Sequence, residues 1–112
     1  MTLFEKIIAR EIPATIEYED EEIIAFRDIQ PVAPVHILLV TKKPIASPFE
    51  LAEADSALIG KLVIAGQTLA KKYGIADSGF RLVMNNGKGA GQSVEHLHMH
   101  LLGGRELSWP PG

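Results

Sequence analysis

The chain has 112 residues, 46% of them hydrophobic and 22% charged. That is the balance of one globular domain, close to the size at which association with a second copy adds useful burial. A net charge of −3 argues against a nucleic-acid backbone as partner, and the absence of cysteine excludes disulfides and thiolate metal sites. No apolar run approaches the ~20 residues of a membrane span. The charged opening MTLFEKIIAREIP is not that of a signal peptide, so a soluble, cytoplasmic protein is expected. In chain order, Thr2-Leu-Phe-Glu5 is a capping box, with a hydroxyl at the cap and a carboxylate three residues on. Phe4, Ile7 and Ile8 then share a helical face, and Pro13 is expected to end the helix. Residues 15–19 and 22–27 read as a hairpin around the acidic turn EDEE. Asp28-Ile-Gln-Pro31 and Pro34 make a stiff connection, and residues 35–41, with His36 at their mouth, read as a buried strand.

A second capping box is read at Ser47-Pro-Phe-Glu50. From there to Tyr73 the positions Leu58, Ile59, Leu62, Gly66, Leu69 and Tyr73 keep helical spacing, with Gly74 as the stop. Residues 80–84 form a further strand and residues 85–92 a glycine-rich loop. The order is helix, three strands, helix, two strands, which predicts an α+β domain: a mostly antiparallel sheet with its helices on one side. The ending Trp109-Pro-Pro cannot continue a strand and is expected to pack as a stiff arm.

The densest chemistry lies in GQSVEHLHMHLLGG, residues 91–104. From Val94 onward apolar residues alternate with His96, His98 and His100, so a strand would carry three imidazoles on one face, roughly 7 Å apart. Three readings compete. The row could be a solvated strand face. It could be a metal site, with zinc held by two of these histidines and a further ligand such as His36. Or a neutral imidazole could attack phosphorus, split one displacement into two and leave as water arrives. For the third, neighbouring histidines would supply protons, while Ser93 and the glycine-rich loop 85–93 would present N–H groups to a phosphate. The loop is not a Walker A motif, because it lacks Gly-Lys-Ser/Thr and a strand follows it.

His96-Leu-His98-Met-His100-Leu-Leu resembles the His-x-His-x-His-x-x signature of the histidine triad (HIT) superfamily. FEKIIAREIPA, AFRDIQPVAPVHILLVTKK, NNGKGAGQS and the WPPG ending resemble its Hint branch, the purine nucleoside phosphoramidases, in order and spacing. The resemblance covers nearly the whole chain and implies a single HIT domain over residues 1–112. In that fold a five-stranded antiparallel sheet carries one long and one short helix, and two sheets join across a homodimer. It further implies hydrolysis of the P–N bond of nucleoside 5′-phosphoramidates to nucleoside monophosphates, with no metal or other cofactor.

In that reading His98 is the nucleophile and forms a nucleotidyl-imidazole at the α-phosphorus. His100 contacts the phosphate and helps the leaving group, with Ser93 and Asn85 also on the phosphate beside Gly91 and Gln92, while His96 and His36 orient and tune the nucleophile. Asp28 holds the ribose, Phe4, Ile7, Phe26 and Ile29 line the base pocket, and Trp109, in the arm 105–112, approaches the partner's site. Gly60, Ala65 and Gly66 would let the long helix approach a second copy. The alternatives are a dinucleoside polyphosphate hydrolase of the same superfamily and a nucleotide- or partner-binding module with weak catalysis. Glu95 stands where many relatives carry an aromatic residue, and Asn86 and residues 88–90 vary within the glycine loop.

Overall fold

Every residue of Val35–Thr41 is buried, and the sheet is built around this strand. In the computed structural model, which describes residues 1–112, the elements are α1 (Leu3–Ile8), β1 (Ile16–Glu19), β2 (Ile23–Arg27), β3 (Val35–Thr41), α2 (Ser56–Lys72), β4 (Phe80–Val83) and β5 (His98–Gly103). All neighbouring strands are antiparallel, in the order β1-β2-β3-β5-β4, so β1 and β4 are the edges. This is the α+β architecture expected, with one correction.

The helices do not lie on one side. Alternation along β3 sends Val35, Ile37 and Leu39 into a core with Leu58, Leu62, Ala65 and Leu69 of α2. The opposite parity, Leu38 and Val40, packs with Phe4 and Ile7 of α1. A strand buried on both faces needs a cover on each, and the short helix is the second cover. The same alternation in β5 sends Met99 and Leu101 towards α2 and leaves His98 and His100 on the α1 face.

Helix boundaries moved as well. The Thr2/Glu5 capping box forms, with Glu5 N–H on Thr2 Oγ1 at 3.2 Å and Thr2 N–H on Glu5 Oε1 at 3.0 Å. However, α1 stops at Ile8 rather than at Pro13, because the chain turns through Arg10 at φ 63°. The box at Ser47 does not form: the Ser47 side chain caps nothing, and Pro48–Glu50 is a single 3-10 turn. The long helix begins instead after Asp55, whose carboxylate accepts from Ala52 N–H at 2.9 Å and Lys43 Nζ at 2.6 Å. At the other end Gly74 adopts φ 69° and closes the helix as expected.

The three small residues of α2 face different surroundings. Ala65 is buried in the core, and a Cβ on Gly66 would lie 3.3 Å from Leu82 Cδ2, so both serve the packing of the helix on its own sheet. Only Gly60 faces open space. No helix is long and apolar enough to cross a membrane.

Candidate active site

Register places the histidines. In the β3–β5 ladder His36 pairs with Leu102, Leu38 with His100 and Val40 with His98, so His36 sits diagonally beside His100 on the face that α1 covers. The ring centroids of His98 and His100 are 5.1 Å apart, and those of His36 and His100 5.2 Å. These gaps are shorter than the backbone repeat suggests because the rings lean together. The regular strand starts only at His98, so His96 lies in the irregular segment before it.

Hydrogen bonds to main-chain groups assign the proton on each ring, since a carbonyl can only accept and an amide N–H can only donate. His98 Nδ1 lies 2.7 Å from the carbonyl of His96 and therefore carries the proton, leaving the Nε2 lone pair free. His96 Nε2 donates to the carbonyl of Thr41 at 2.6 Å; its ring is buried against Phe4 and does not line the cavity. Val32 N–H donates to His36 Nδ1 at 3.1 Å, so the His36 proton is on Nε2, 2.9 Å from His100 Nδ1. His100 thus accepts at Nδ1 and carries its own proton on Nε2. Asp28 Oδ2 lies 3.4 Å from His36 Nε2, while its Oδ1 accepts from Gln30 N–H at 2.8 Å.

The rings of His36, His98 and His100 are held neutral. Burial lowers the pKa of His98, partly opposed by the hydrogen bond to the His96 carbonyl. Burial also lowers that of His36 against the pull of Asp28. His100 is pushed down to about 4, first by burial and then by repulsion from His98 and His36. A neutral imidazole whose Nδ1–H is held by a carbonyl is a competent nucleophile at Nε2.

His98 and His100 open into a cavity of about 300 Å³ whose walls include Phe4, Ile7, Phe26, Asp28, Ile29 and Ser93. All of these come from the resemblance, and the fold brings them together. Phe4 stands edge-on to His98, centroids 4.9 Å apart, and to Phe26 at 5.5 Å. Leu38 and Val94 also line this cavity and escaped the sequence reading. The signal for Leu38 was present: it stands two residues from His36, on the same face of the same strand. A larger cavity of about 700 Å³ lies between α2 and β1 and contains no histidine.

Other expected residues sit elsewhere. Gln92 is buried as a brace: its Oε1 accepts from Gly87 N–H at 2.8 Å, and its Nε2 donates to Ala46 and Val94 carbonyls at 2.8 and 3.0 Å. Gly91, at φ 92°, makes the turn into Gln92 with Asn85 alongside, and neither Asn85 nor Gly91 lines the histidine cavity. Ser93 is shared with a second, polar cavity of about 300 Å³ that includes Ser47, Glu50, Asn86, Lys88 and Glu95. Trp109 is 81% exposed and away from the histidines of its own chain.

Comparison with known proteins agrees with this geometry. The model of the HIT domain matches residues 9–107. The fold superposes with TM-score 0.98 on the crystal structure of a HIT family hydrolase from Legionella pneumophila, 48% identical, with all of both chains covered. An uncharacterized HIT-like protein of Synechocystis is 53% identical over 111 residues, covering 99% of this chain and 96% of its own. A 14 kDa zinc-binding protein of Brassica juncea is 47% identical over 113 residues, covering 99% of each. A domain match over nearly the whole length, with His98 and His100 on one face of the sheet and His96 just before the strand, means that this chain belongs to the HIT domain family.

Proposed function

We propose that the protein is a nucleotide-binding hydrolase of the Hint type, cleaving the P–N bond of purine nucleoside 5′-phosphoramidates. The observation that carries this reading is the His98 Nδ1 contact with the His96 carbonyl at 2.7 Å, which leaves Nε2 unprotonated on the cavity side. His98 Nε2 gives its lone pair to the α-phosphorus and forms a P–N bond. The bond from phosphorus to the substrate amine breaks with its electron pair on nitrogen, which takes a proton from solvent and departs. Water then adds to phosphorus, the bond to His98 breaks with its pair returning to Nε2, and the water proton is released. The products are a nucleoside monophosphate and an amine.

Each neighbour has a part in that scheme. His100 Nε2–H hydrogen-bonds a phosphoryl oxygen where negative charge builds up. Ser93 supports the phosphate from the loop side, and Asp28 takes the ribose hydroxyls. Phe4, Ile7, Phe26 and Ile29 accept the base between apolar walls. The protein acts as a homodimer in this reading, with Trp109 reaching the partner's site. The test is release of AMP from adenosine 5′-phosphoramidate in the presence of chelator. Wild type should turn over, and His98→Ala should lose at least about 10³-fold while still binding AMP. Equal rates for the two proteins would end the nucleophile assignment.

One cluster favours a second reading. Asp28, His36 and His100 each offer a ligand atom, and these atoms all lie within 4.8 Å of one another. Two imidazole nitrogens and a carboxylate oxygen suit zinc, and the Brassica relative is named for zinc binding. The donors fit the ion provided the His36 proton moves from Nε2 to Nδ1, which gives up the bond from Val32 N–H. A zinc ion held there would polarise a phosphoryl oxygen. Chelation would then abolish AMP release, whereas the histidine mechanism is indifferent to it.

A further inference from the structure

The C-terminal arm is tied to the histidines by contacts that the mechanism above leaves unused. Arg105 donates from Nε to the Val32 carbonyl at 2.9 Å and from Nη1 to the Glu106 carbonyl at 2.8 Å. Val32 is the residue whose N–H meets His36 Nδ1 at 3.1 Å, and His36 donates its Nε2–H to His100 Nδ1 at 2.9 Å. Val32 itself is 57% exposed, so no core holds it. It lies in the connection from Asp28 to Pro34, where Pro31 and Pro34 have no N–H to give. Outside the sheet ladder, no main-chain to main-chain hydrogen bond engages residues 29–34. Arg105 and His36 are therefore the polar groups that hold Val32 in place.

We propose that Arg105 is a positioning residue: by holding Val32 it keeps that N–H on His36 Nδ1, and so keeps the His100 proton on the nitrogen that faces the substrate. If Val32 lets go, His36 can carry its proton on Nδ1. His36 Nε2 then accepts from His100 Nδ1–H, and His100 presents a bare Nε2 lone pair to an anionic phosphate. Both arrangements are neutral and differ only in which ring nitrogens are protonated. The arm is thereby coupled to proton placement in the site without touching the substrate. The consequence for rate rests on the phosphoramidate reading; the consequence for proton placement does not.

The experiment uses the full chain with labelled histidine nitrogens and chelator present. Long-range proton–nitrogen NMR at pH 7 then distinguishes protonated from bare ring nitrogens. Wild type should show His36 and His100 each protonated at Nε2. Arg105→Met, which removes the donor, should show a second form of both rings, protonated at Nδ1, and Arg105→Lys, which keeps one donor for Val32, should restore the single form. In parallel, Arg105→Met should lower kcat on adenosine 5′-phosphoramidate by roughly three- to tenfold, the scale of one hydrogen bond, with KM and Tm nearly unchanged. Unaltered His36 and His100 signals in Arg105→Met would overturn the proposal whatever the rate. A silent wild-type enzyme would instead count against the phosphoramidate reading, with the NMR still deciding the role of Arg105.

Discussion

At His98 the chemistry turns on which ring nitrogen carries the proton, and that is decided by a carbonyl two residues away in the chain. Protonation of the free Nε2 would remove the nucleophile proposed above. Because the pKa of His98 is lowered by burial, kcat/KM should stay level as pH falls from 7 through about 6.5, the ordinary histidine value, and decline only below it. A decline centred at or above that value, in a steady-state pH profile, would contradict the buried neutral ring. Stability should follow the same groups with a definite sign. The unfolded chain takes up protons from about pH 6.5 downward, while folded His100 resists until about 4. Stability is therefore full above that window and falls as pH drops through it. Thermal melts between pH 7 and 5 should show this slope, and His100→Gln should flatten it.

At the scale of elements, the segment leading into α2 is held by Asp55 and not by Ser47. Asp55 serves both Ala52 N–H and Lys43, whereas Ser47 caps nothing. Asp55→Ala should clearly lower the urea midpoint and Ser47→Ala leave it where it was; the reverse order would restore the capping box that the sequence suggested. The exit of β5 is equally constrained. A Cβ on Gly103 would fall 2.5 Å from Ile75 Cδ1 and 3.3 Å from Ile75 Cβ, so the strand end and the turn after α2 meet with no room for a methyl group. Gly103→Ala should cost about 1–3 kcal/mol in denaturant titrations, the usual penalty of overpacking. A neutral result would mean that Ile75 repacks freely. The Gly103 contact bears on the site, because β5 carries His98 and His100.

At the scale of the whole molecule, the 12.2 kDa chain leaves two sheet edges unpaired and Trp109 exposed, surfaces that a second copy would cover. The homodimer proposed above predicts sedimentation at twice the chain mass at micromolar concentration, and a Tm that rises with protein concentration. A monomer with concentration-independent melting would remove Trp109 from any partner's site. Because Ala65 and Gly66 are spent on the chain's own sheet, such an interface would take only Gly60 from the small residues of the helix.

How much was legible depends on how local each feature is. The β-branched apolar run at residues 35–41, helical spacing from Leu58 to Tyr73, the Thr2/Glu5 cap and the stop at Gly74 all come from interactions within a few residues. Composition and order therefore carried the strand, the helix and the α+β class, and the row of histidines was visible as a motif. Placing α1 on the opposite face from α2 required the two-sided burial of β3, which no local pattern states. The proton positions were out of reach for a stronger reason. They are assigned by the carbonyl of Thr41 on His96, the N–H of Val32 on His36, and the contact between His36 and His100, which are 64 residues apart. The sequence by itself determined which imidazoles are present. Only the tertiary structure decided which nitrogen of each is bare, because a ring's tautomer follows from the donors and acceptors that the folded chain, near or distant in sequence, turns towards it.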